Sequence, residues 1–273
     1  MPLFILGVLT LVLLAWLVGE PFFTEWRRER LRKRPFPAAW RRILKRRVPY
    51  FSRLPSDLQL QLKRHMQVFL AEKSFIGCAG LAVTQEMRVT IAAQACLLLL
   101  NRNKTRYFPK LTQILVYPGA FVVNRSHTDF AGVLQDRRQV LSGESWALGQ
   151  VVLSWQDTLE GAAQVGDGRN VVIHEFAHQL DQEKGHANGA PFLPSRKHGE
   201  LWSRVMNAEF AQLQRMAEQG EETLLSHYGA TDPAEFFAVA SEVFFEQPLQ
   251  LALQHPALYE QLSRCYHLNP LSW

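Results

Sequence analysis

Cysteine is scarce in this sequence, with only Cys78, Cys96 and Cys265 among 273 residues. Their spacing fits neither a disulfide framework nor a zinc ribbon, and their scarcity is typical of a reducing compartment. No cysteine has an obvious histidine partner, which argues against a thiol hydrolase. Internal repeats and low-complexity tracts are also missing, and the 47% hydrophobic content is that of a globular chain with one sizeable domain.

Charged side chains are absent from residues 1–19, an apolar run just long enough for a membrane-spanning helix. A signal peptide would need basic residues before this run and a small-residue cleavage site after it, and neither is evident. Basic residues instead follow the run. By the positive-inside rule, we expect a single-pass anchor in the inner (cytoplasmic) membrane, with the rest of the chain in the cytoplasm.

The basic charge of the chain is confined to a short segment. Residues 20–50 carry eleven Lys and Arg and three Glu, a net charge of +8, whereas the whole chain has +5. The remainder therefore has a net charge of −3. Because nucleic-acid binding would need a basic patch on the folded part, this distribution indicates no nucleic-acid partner.

The most informative motif is His-Glu-Phe-Ala-His at residues 174–178. On a helix, His174 and His178 lie on one face and can reach one ion, while Glu175 can reach a water on that ion. The helix is apolar nearly all round, and buried imidazoles and carboxylates are costly unless they are paired or bind metal. The pattern predicts one Zn²⁺ per chain, with Glu175 as the general base of a hydrolase.

A catalytic zinc usually has three protein ligands. The extended motif H-E-x-x-H-x-x-G-x-x-H is excluded, since positions 181 and 184 hold Asp181 and Lys184. The third ligand must come from further along the chain. His186 and His198 lie in a stretch rich in Gly and Pro that is typical of a loop. The full set of candidates is His186, His198, Glu200, Glu209, Glu235 and Glu242, of which Glu200 and Glu209 are expected on the water-facing side of an amphipathic helix at about 199–219.

Glu235 and Glu242 differ from the other candidates. Both lie on an otherwise apolar helix that Asp232 and Pro233 open, and their spacing of two turns points them the same way. Glu235 can alternatively close a capping box with Asp232. The residues alone leave the choice between the two glutamates open. Asp181 or Glu242 can also orient a ligand imidazole through its other nitrogen.

The rest of the chain divides into helical and strand-like parts. Residues 55–73 and 85–100 are predicted helices of an amino-terminal helical subdomain. Short β-branched or aromatic segments then indicate a small sheet, at Ile114–Tyr117, Phe121–Asn124, Gln139–Leu141 and Val151–Trp155. Val151–Trp155 is either an ordinary strand or an exposed edge strand that pairs with an extended peptide.

Two segments carry a family resemblance. HEFAHQLD at 174–181 and YGATDPAEFFAVASEVFF at 228–245 resemble the Mlc titration factor A family of zinc peptidases, and more distantly the catalytic domain of anthrax lethal factor. LVYPGAFVV, SGESW and VVLSW extend the likeness over about 50–270. The resemblance implies His174, His178 and Glu235 as zinc ligands, Glu175 as the catalytic glutamate and Tyr228 near the reaction centre.

We therefore expect an α+β chain with a zincin-like metallopeptidase domain, built from a small mixed sheet plus helices. Its predicted parts are a transmembrane anchor (1–19), a basic juxtamembrane linker (20–50), a helical subdomain (51–110) and the catalytic domain (111–273). The expected function is zinc-dependent hydrolysis of a peptide or protein substrate. The alternatives are a protein that binds a transcriptional regulator, as the family name implies, and a zinc hydrolase that acts on a non-peptide bond.

Overall fold

The structure, a computed structural model, describes residues 2–102, 105–128, 134–141, 143–146, 149–191 and 195–273. Its helices before the first strand are α1 (Pro2–Arg32), α2 (Ala38–Arg47), α3 (Tyr50–Arg53) and α4 (Ser56–Glu72). Within the described residues, no helix meets the length and apolarity that a membrane span requires, so the predicted transmembrane helix at 1–19 is not confirmed. The predicted basic linker consists largely of the second part of α1 and of α2.

In the part of the chain that the structure describes, six strands form two separate sheets. They are β1 (Ser74–Gly77), β2 (Gln113–Tyr117), β3 (Phe121–Thr128), β4 (Leu134–Leu141), β5 (Gly143–Trp146) and β6 (Gln150–Ser154). The main sheet has the order β1-β2-β6-β5, in which β1, β2 and β6 are parallel and β5 is antiparallel to β6. Strands β3 and β4 pair with each other as an antiparallel hairpin. The small mixed sheet is thus confirmed, with the hairpin apart from it.

Helices cover most of the remaining chain. They are α5 (Gln85–Leu97), α6 (Trp155–Ala163), α7 (Val171–Asp181), α8 (Arg196–Gln219), α9 (Pro233–Glu246), α10 (Pro248–Gln254) and α11 (Pro256–Tyr266), with 3₁₀ turns at Gln182–Lys184, His227–Ala230 and Pro270–Ser272. The predicted helices at 55–73 and 85–100 correspond to α4 and α5. The amphipathic helix predicted from about 199 begins three residues earlier, at Arg196.

One hydrophobic core joins the helices to the sheet, and it extends from Leu44 to Leu268 along the chain. Val151, Val152 and Leu153 of β6 are all buried, as expected for a strand covered on both faces. Since β6 lies between β2 and β5, residues 151–154 belong to an ordinary interior strand, and the alternative of an exposed edge strand is wrong. Trp155 is also not part of the strand, because Ser154 caps α6 and Trp155 begins it.

Candidate metal centre

Helix α7 carries the two histidines, and both its amino-terminus and its inner face are fixed. The Asn170 side chain accepts a hydrogen bond from the Ile173 amide at 3.0 Å, which caps the helix. Phe176 lies in the core with its ring centroid 4.8 Å from that of Phe108. This packing turns the other face, with His174 and His178, toward α9.

Helix α9 carries the two glutamates, and the side chain that caps it is that of Asp232. Asp232 Oδ1 accepts hydrogen bonds from the amides of Ala234 at 2.8 Å and Glu235 at 3.0 Å. The Glu235 carboxylate contacts His174 and His178. The alternative in which Glu235 serves a capping box is therefore not the arrangement found.

Three side chains converge at the interface of α7 and α9. His174 Nε2 lies 3.0 Å from Glu235 Oε2 and 3.2 Å from His178 Nε2, and the third separation, from His178 Nε2 to Glu235 Oε2, is 3.4 Å. Ligands at about 2.1 Å from a tetrahedral zinc would be separated by about 3.4 Å. Across the described ranges, these three residues are the one group of His, Cys, Asp or Glu side chains placed to hold a metal ion.

Glu242 occupies a different position from Glu235, although both face the same histidine. Its Oε1 lies 2.8 Å from His174 Nδ1, and its Oε2 accepts a hydrogen bond from the Asn170 amide at 2.5 Å. A carboxylate at Nδ1 favours the proton on that nitrogen and leaves the Nε2 lone pair free to bind a cation. Glu242 therefore orients His174, and Asp181 does not.

The three-residue cluster favours a positive charge. Burial alone would lower the pKa of His174, but hydrogen bonds with Glu235 and Glu242 outweigh it and raise the pKa well above the ordinary value. For Glu235, burial acts to raise the pKa, whereas hydrogen bonds with His174 and His178 lower it below the usual range. Carboxylates that stabilise a proton on the imidazole can equally stabilise a divalent cation that takes the place of this proton and binds the neutral ring.

Glu175 is buried beside this cluster, with 4% of its surface exposed. Burial raises the pKa of its carboxyl to about 7, although the neighbouring His174 and His178 act in the opposite direction. Its Oε2 has no hydrogen-bond partner among the described residues. A carboxyl group with a pKa near neutrality and an unused oxygen is suited to accept and return a proton.

A cleft of about 480 Å³ opens onto these residues. Its lining includes His174, Glu175, Glu242, Ser226 and Tyr228. The Tyr228 ring centroid is 6.0 Å from that of His174, and 42% of this tyrosine is exposed. The cleft gives a substrate access to His174 and to Glu175.

The other predicted ligands lie elsewhere. His198 is on α8 instead of in a loop, where its Nδ1 lies 2.6 Å from Ser195 Oγ. His186 and Glu200 are exposed, as the sequence predicts for Glu200. Glu209 is half-buried and lies 2.7 Å from His255 Nδ1, so its predicted water-facing position is wrong.

Asp181 stabilises a loop. Its carboxylate accepts hydrogen bonds from three successive amides, those of Asn188 and Gly189 at 2.7 Å and of Ala190 at 2.9 Å.

The residue that sequence reasoning missed is Asn170, which joins α6, α7 and α9 by its bonds to Gly161, Ile173 and Glu246. An Asn directly before an apolar helix is a signal that could have identified it as a cap.

Comparisons with known proteins agree with this geometry. Residues 23–267 match the family model of the glucose-regulated metallopeptidase M90. An uncharacterised protein of Synechocystis sp. is 40% identical over 267 residues, which is 97% of each chain. The Mlc titration factor A proteins of Klebsiella pneumoniae and Serratia proteamaculans are 34% and 36% identical over 228 residues, 82% of this chain and 84% and 86% of theirs.

Proposed function

This chain belongs to the glucose-regulated metallopeptidase M90 family, and from that premise we propose that it is a zinc-dependent peptidase of the zincin type. The observation that carries the proposal is the convergence of His174, His178 and Glu235 beside the buried Glu175. Two imidazole nitrogens and one carboxylate oxygen are a donor set that catalytic zinc uses, with a fourth position for water.

The proposed roles follow from the position of each side chain. Zinc, when bound, would supply a Lewis acid that polarises the peptide carbonyl and lowers the pKa of water. Glu175 accepts the proton of the attacking water and then delivers it to the leaving amine. Its raised pKa suits both transfers near neutral pH. Glu242 holds His174 in the orientation and tautomer that present Nε2.

Tyr228 is proposed to donate a hydrogen bond to the oxygen on which negative charge develops. Two observations support this role: the residue lines the cleft together with Glu175, and its ring lies beside His174. Tyr228 belongs to the 3₁₀ turn His227–Ala230, which directly precedes α9. The turn therefore places the phenol next to the helix that carries Glu235.

An extended peptide is the proposed substrate. Among the strands that the structure describes, β5 is hydrogen-bonded to β6 alone, and it packs against α7. An extended chain can add to such an edge through backbone hydrogen bonds. This supports β5, instead of Val151–Trp155, as the strand that would align a peptide along the cleft.

Binding of a transcriptional regulator is the second candidate function. It is favoured by the relatives named for titrating Mlc. A protein that only binds a regulator would not need a buried general base beside the cluster, which favours the peptidase. A zinc hydrolase for a non-peptide bond would have the same cluster. The peptidase and this hydrolase are therefore distinguished by their substrates.

We also propose that residues 1–19 attach the protein to the cytoplasmic membrane, with the metal centre on the cytoplasmic side. The support is the uncharged run followed by a segment of net charge +8. As no helix in the described part of the chain qualifies as a span, this proposal depends on the sequence alone. Cell fractionation, with a location reporter fused after Trp273, tests it.

Zinc analysis together with digestion of a peptide library tests the main proposal. The purified protein should contain about one zinc per chain, as a single three-ligand site requires. It should also cut peptides, and a chelator should abolish the cutting. Zinc retention without any cleavage would favour the regulator-binding function instead.

A further inference from the structure

Three aromatic side chains of α1 lie side by side in solvent. Phe22, Phe23 and Trp26 are 74%, 63% and 53% exposed. The rings of Phe23 and Trp26 stack with centroids 5.7 Å apart, and the guanidinium carbon of Arg30 lies 4.5 Å from the Trp26 ring centroid. Such adjoining exposed aromatic groups mark an interaction surface. We call Phe22, Phe23 and Trp26 the aromatic patch.

The opposite face of the same helix is attached to the domain. Arg28 forms a two-pronged ion pair with Glu72 of α4, with nitrogen to oxygen distances of 2.7 and 2.9 Å. Its guanidinium carbon lies 5.0 Å from the Tyr107 ring centroid. The hydrogen bond with Glu72 raises the pKa of Arg28, although burial opposes this. The charge of Arg28 is therefore paired within the protein.

Arg32, one turn further along α1, completes this attachment. Its Nε donates to the Tyr107 hydroxyl at 3.3 Å, and the same hydroxyl lies 2.9 Å from His65 Nδ1. Tyr107 is fully buried, so the contact reaches the interior of the domain. The carboxyl-terminal part of α1 is thus fixed, and the aromatic patch is held facing away from the domain.

The charge next to the aromatic patch is positive on the exposed side. Arg27, Arg30 and Arg34 are exposed, and α2 adds further exposed basic residues. Of the nearby acids, Glu25 and Glu29 pair with Arg32, and Glu20 accepts a hydrogen bond from the Thr24 hydroxyl at 3.4 Å. An anionic lipid surface attracts such a segment. A second copy of this chain would carry the same excess of positive charge here and would be repelled.

We propose that the aromatic patch inserts into the interfacial layer of a membrane that contains anionic lipids, with Arg27 and Arg30 at the level of the phosphates. Aromatic side chains concentrate at this layer, between the hydrocarbon and the water. The inference rests on the proposed membrane attachment and not on the peptidase activity. Since Arg28 and Arg32 fix α1 to the domain, the patch also sets how close the domain lies to the membrane.

The test places a polarity-sensitive fluorophore on the full-length protein. It is attached by Trp26→Cys in a Cys78→Ser background, because Cys96 and Cys265 are buried and react poorly. The matched control is Leu253→Cys on α10, a site that is 74% exposed. Both proteins are reconstituted with vesicles of phosphatidylcholine, with or without phosphatidylglycerol, and a lipid-attached quencher is added.

In phosphatidylglycerol vesicles, the Trp26→Cys label should lose at least about half of its emission to the lipid quencher, whereas the Leu253→Cys label should lose almost none. If the protein floats with vesicles but the Trp26→Cys label is quenched only by aqueous iodide, the patch inference is wrong and the membrane attachment stands. If the protein does not float, both are wrong, and the peptidase proposal is unaffected. The label could instead be protected from iodide without vesicles, and more strongly at higher protein concentration. That result would overturn the inference in favour of a protein partner.

Discussion

Oε1 of Glu242 lies 2.8 Å from Nδ1 of His174, on the side of the ring that faces away from the candidate metal ligands. The other oxygen of Glu242 accepts a hydrogen bond from the Asn170 amide, at the start of the histidine helix. One carboxylate therefore fixes both the ring and the helix that carries it. This relationship separates the roles of two glutamates that the sequence treats as equivalent.

Replacement of the two glutamates should have different effects on the metal. Glu235→Ala removes a ligand and should abolish both zinc retention and cleavage. Glu242→Ala should keep the zinc but weaken its affinity by about 10–100-fold, the usual cost of losing an outer partner of a ligand histidine. Competition with a fluorescent zinc chelator measures both affinities.

Glu260→Ala is the control for the two glutamate variants, because Glu260 is an exposed carboxylate that pairs with Arg264 on its own helix. It should bind zinc like the wild type. If Glu242→Ala releases the metal while Glu235→Ala retains it, the ligand assignment is wrong.

Asp181→Ala should lower stability without removing the metal ligands. The change leaves the amides of Asn188 and Gly189 without this acceptor, whereas the Ala190 amide keeps Asn188 Oδ1 at 3.0 Å. We expect a loss of about 2–4 kcal/mol in the free energy of unfolding. Urea denaturation of the zinc-free protein measures it. Glu200→Ala, at an exposed site, should change stability by less than about 0.5 kcal/mol. Equal effects of both variants would show that the carboxylate does not stabilise the loop.

Glu246 should make stability depend on pH. Burial raises the pKa of its carboxyl to about 7 from an ordinary 4.5, although hydrogen bonds from Gly166 and Asn170 oppose the shift. Because the folded protein holds this proton more tightly, the contribution of Glu246 is fully present below about pH 4.5 and is lost as the pH rises to about 7. Glu246→Gln, which cannot titrate, should lack this loss.

The expected difference between wild type and Glu246→Gln therefore changes by up to about 3 kcal/mol between pH 5 and pH 8. Denaturant unfolding at both pH values measures it, and the exposed Glu221→Gln serves as the control. A difference that stays constant with pH would mean that Glu246 is already ionised at pH 5.

Arg28→Ala should loosen α1 from the domain. It removes the ion pair with Glu72 and the contact with the Tyr107 ring, so amide hydrogen exchange in residues 20–32 should become about tenfold faster. Arg27→Ala is the matched control, because Arg27 is the exposed neighbour. Similar exchange rates in both variants would contradict the attachment of α1 through Arg28.

Regular periodicity allowed the sequence to predict the long elements well. Helices α4, α5, α7 and α9 have clear caps or apolar faces, and Asp232 with Pro233 marks the start of α9 almost to the residue. Strand β1 lies between the two predicted helices of the helical subdomain (51–110) and was not predicted, because Ser74–Gly77 has only four residues and its sequence does not alternate between polar and apolar. Its existence depends on pairing with β2, which lies far away in the chain.

In the candidate site, too, the sequence predicts what depends on spacing along one element and does not predict what depends on the packing of two elements. The motif identifies His174, Glu175 and His178 because their chemistry depends on spacing along one helix. The choice between Glu235 and Glu242 depends on how α9 lies against α7. Seven residues apart, the two acids share a face, and only the tertiary packing places Glu235 at Nε2 of His174 and Glu242 at Nδ1.

The most direct test of the central claim is peptide cleavage by a zinc-loaded Glu175→Gln protein. Glutamine keeps the size of the side chain and can still hydrogen-bond to water, but it cannot accept a proton. The variant should fold and bind about one zinc per chain. Its turnover should fall by at least about 100-fold, the lower end of what general acid–base catalysis contributes. Cleavage within a few-fold of the wild type, at equal zinc content, would contradict the role of Glu175 and the proposed peptidase mechanism.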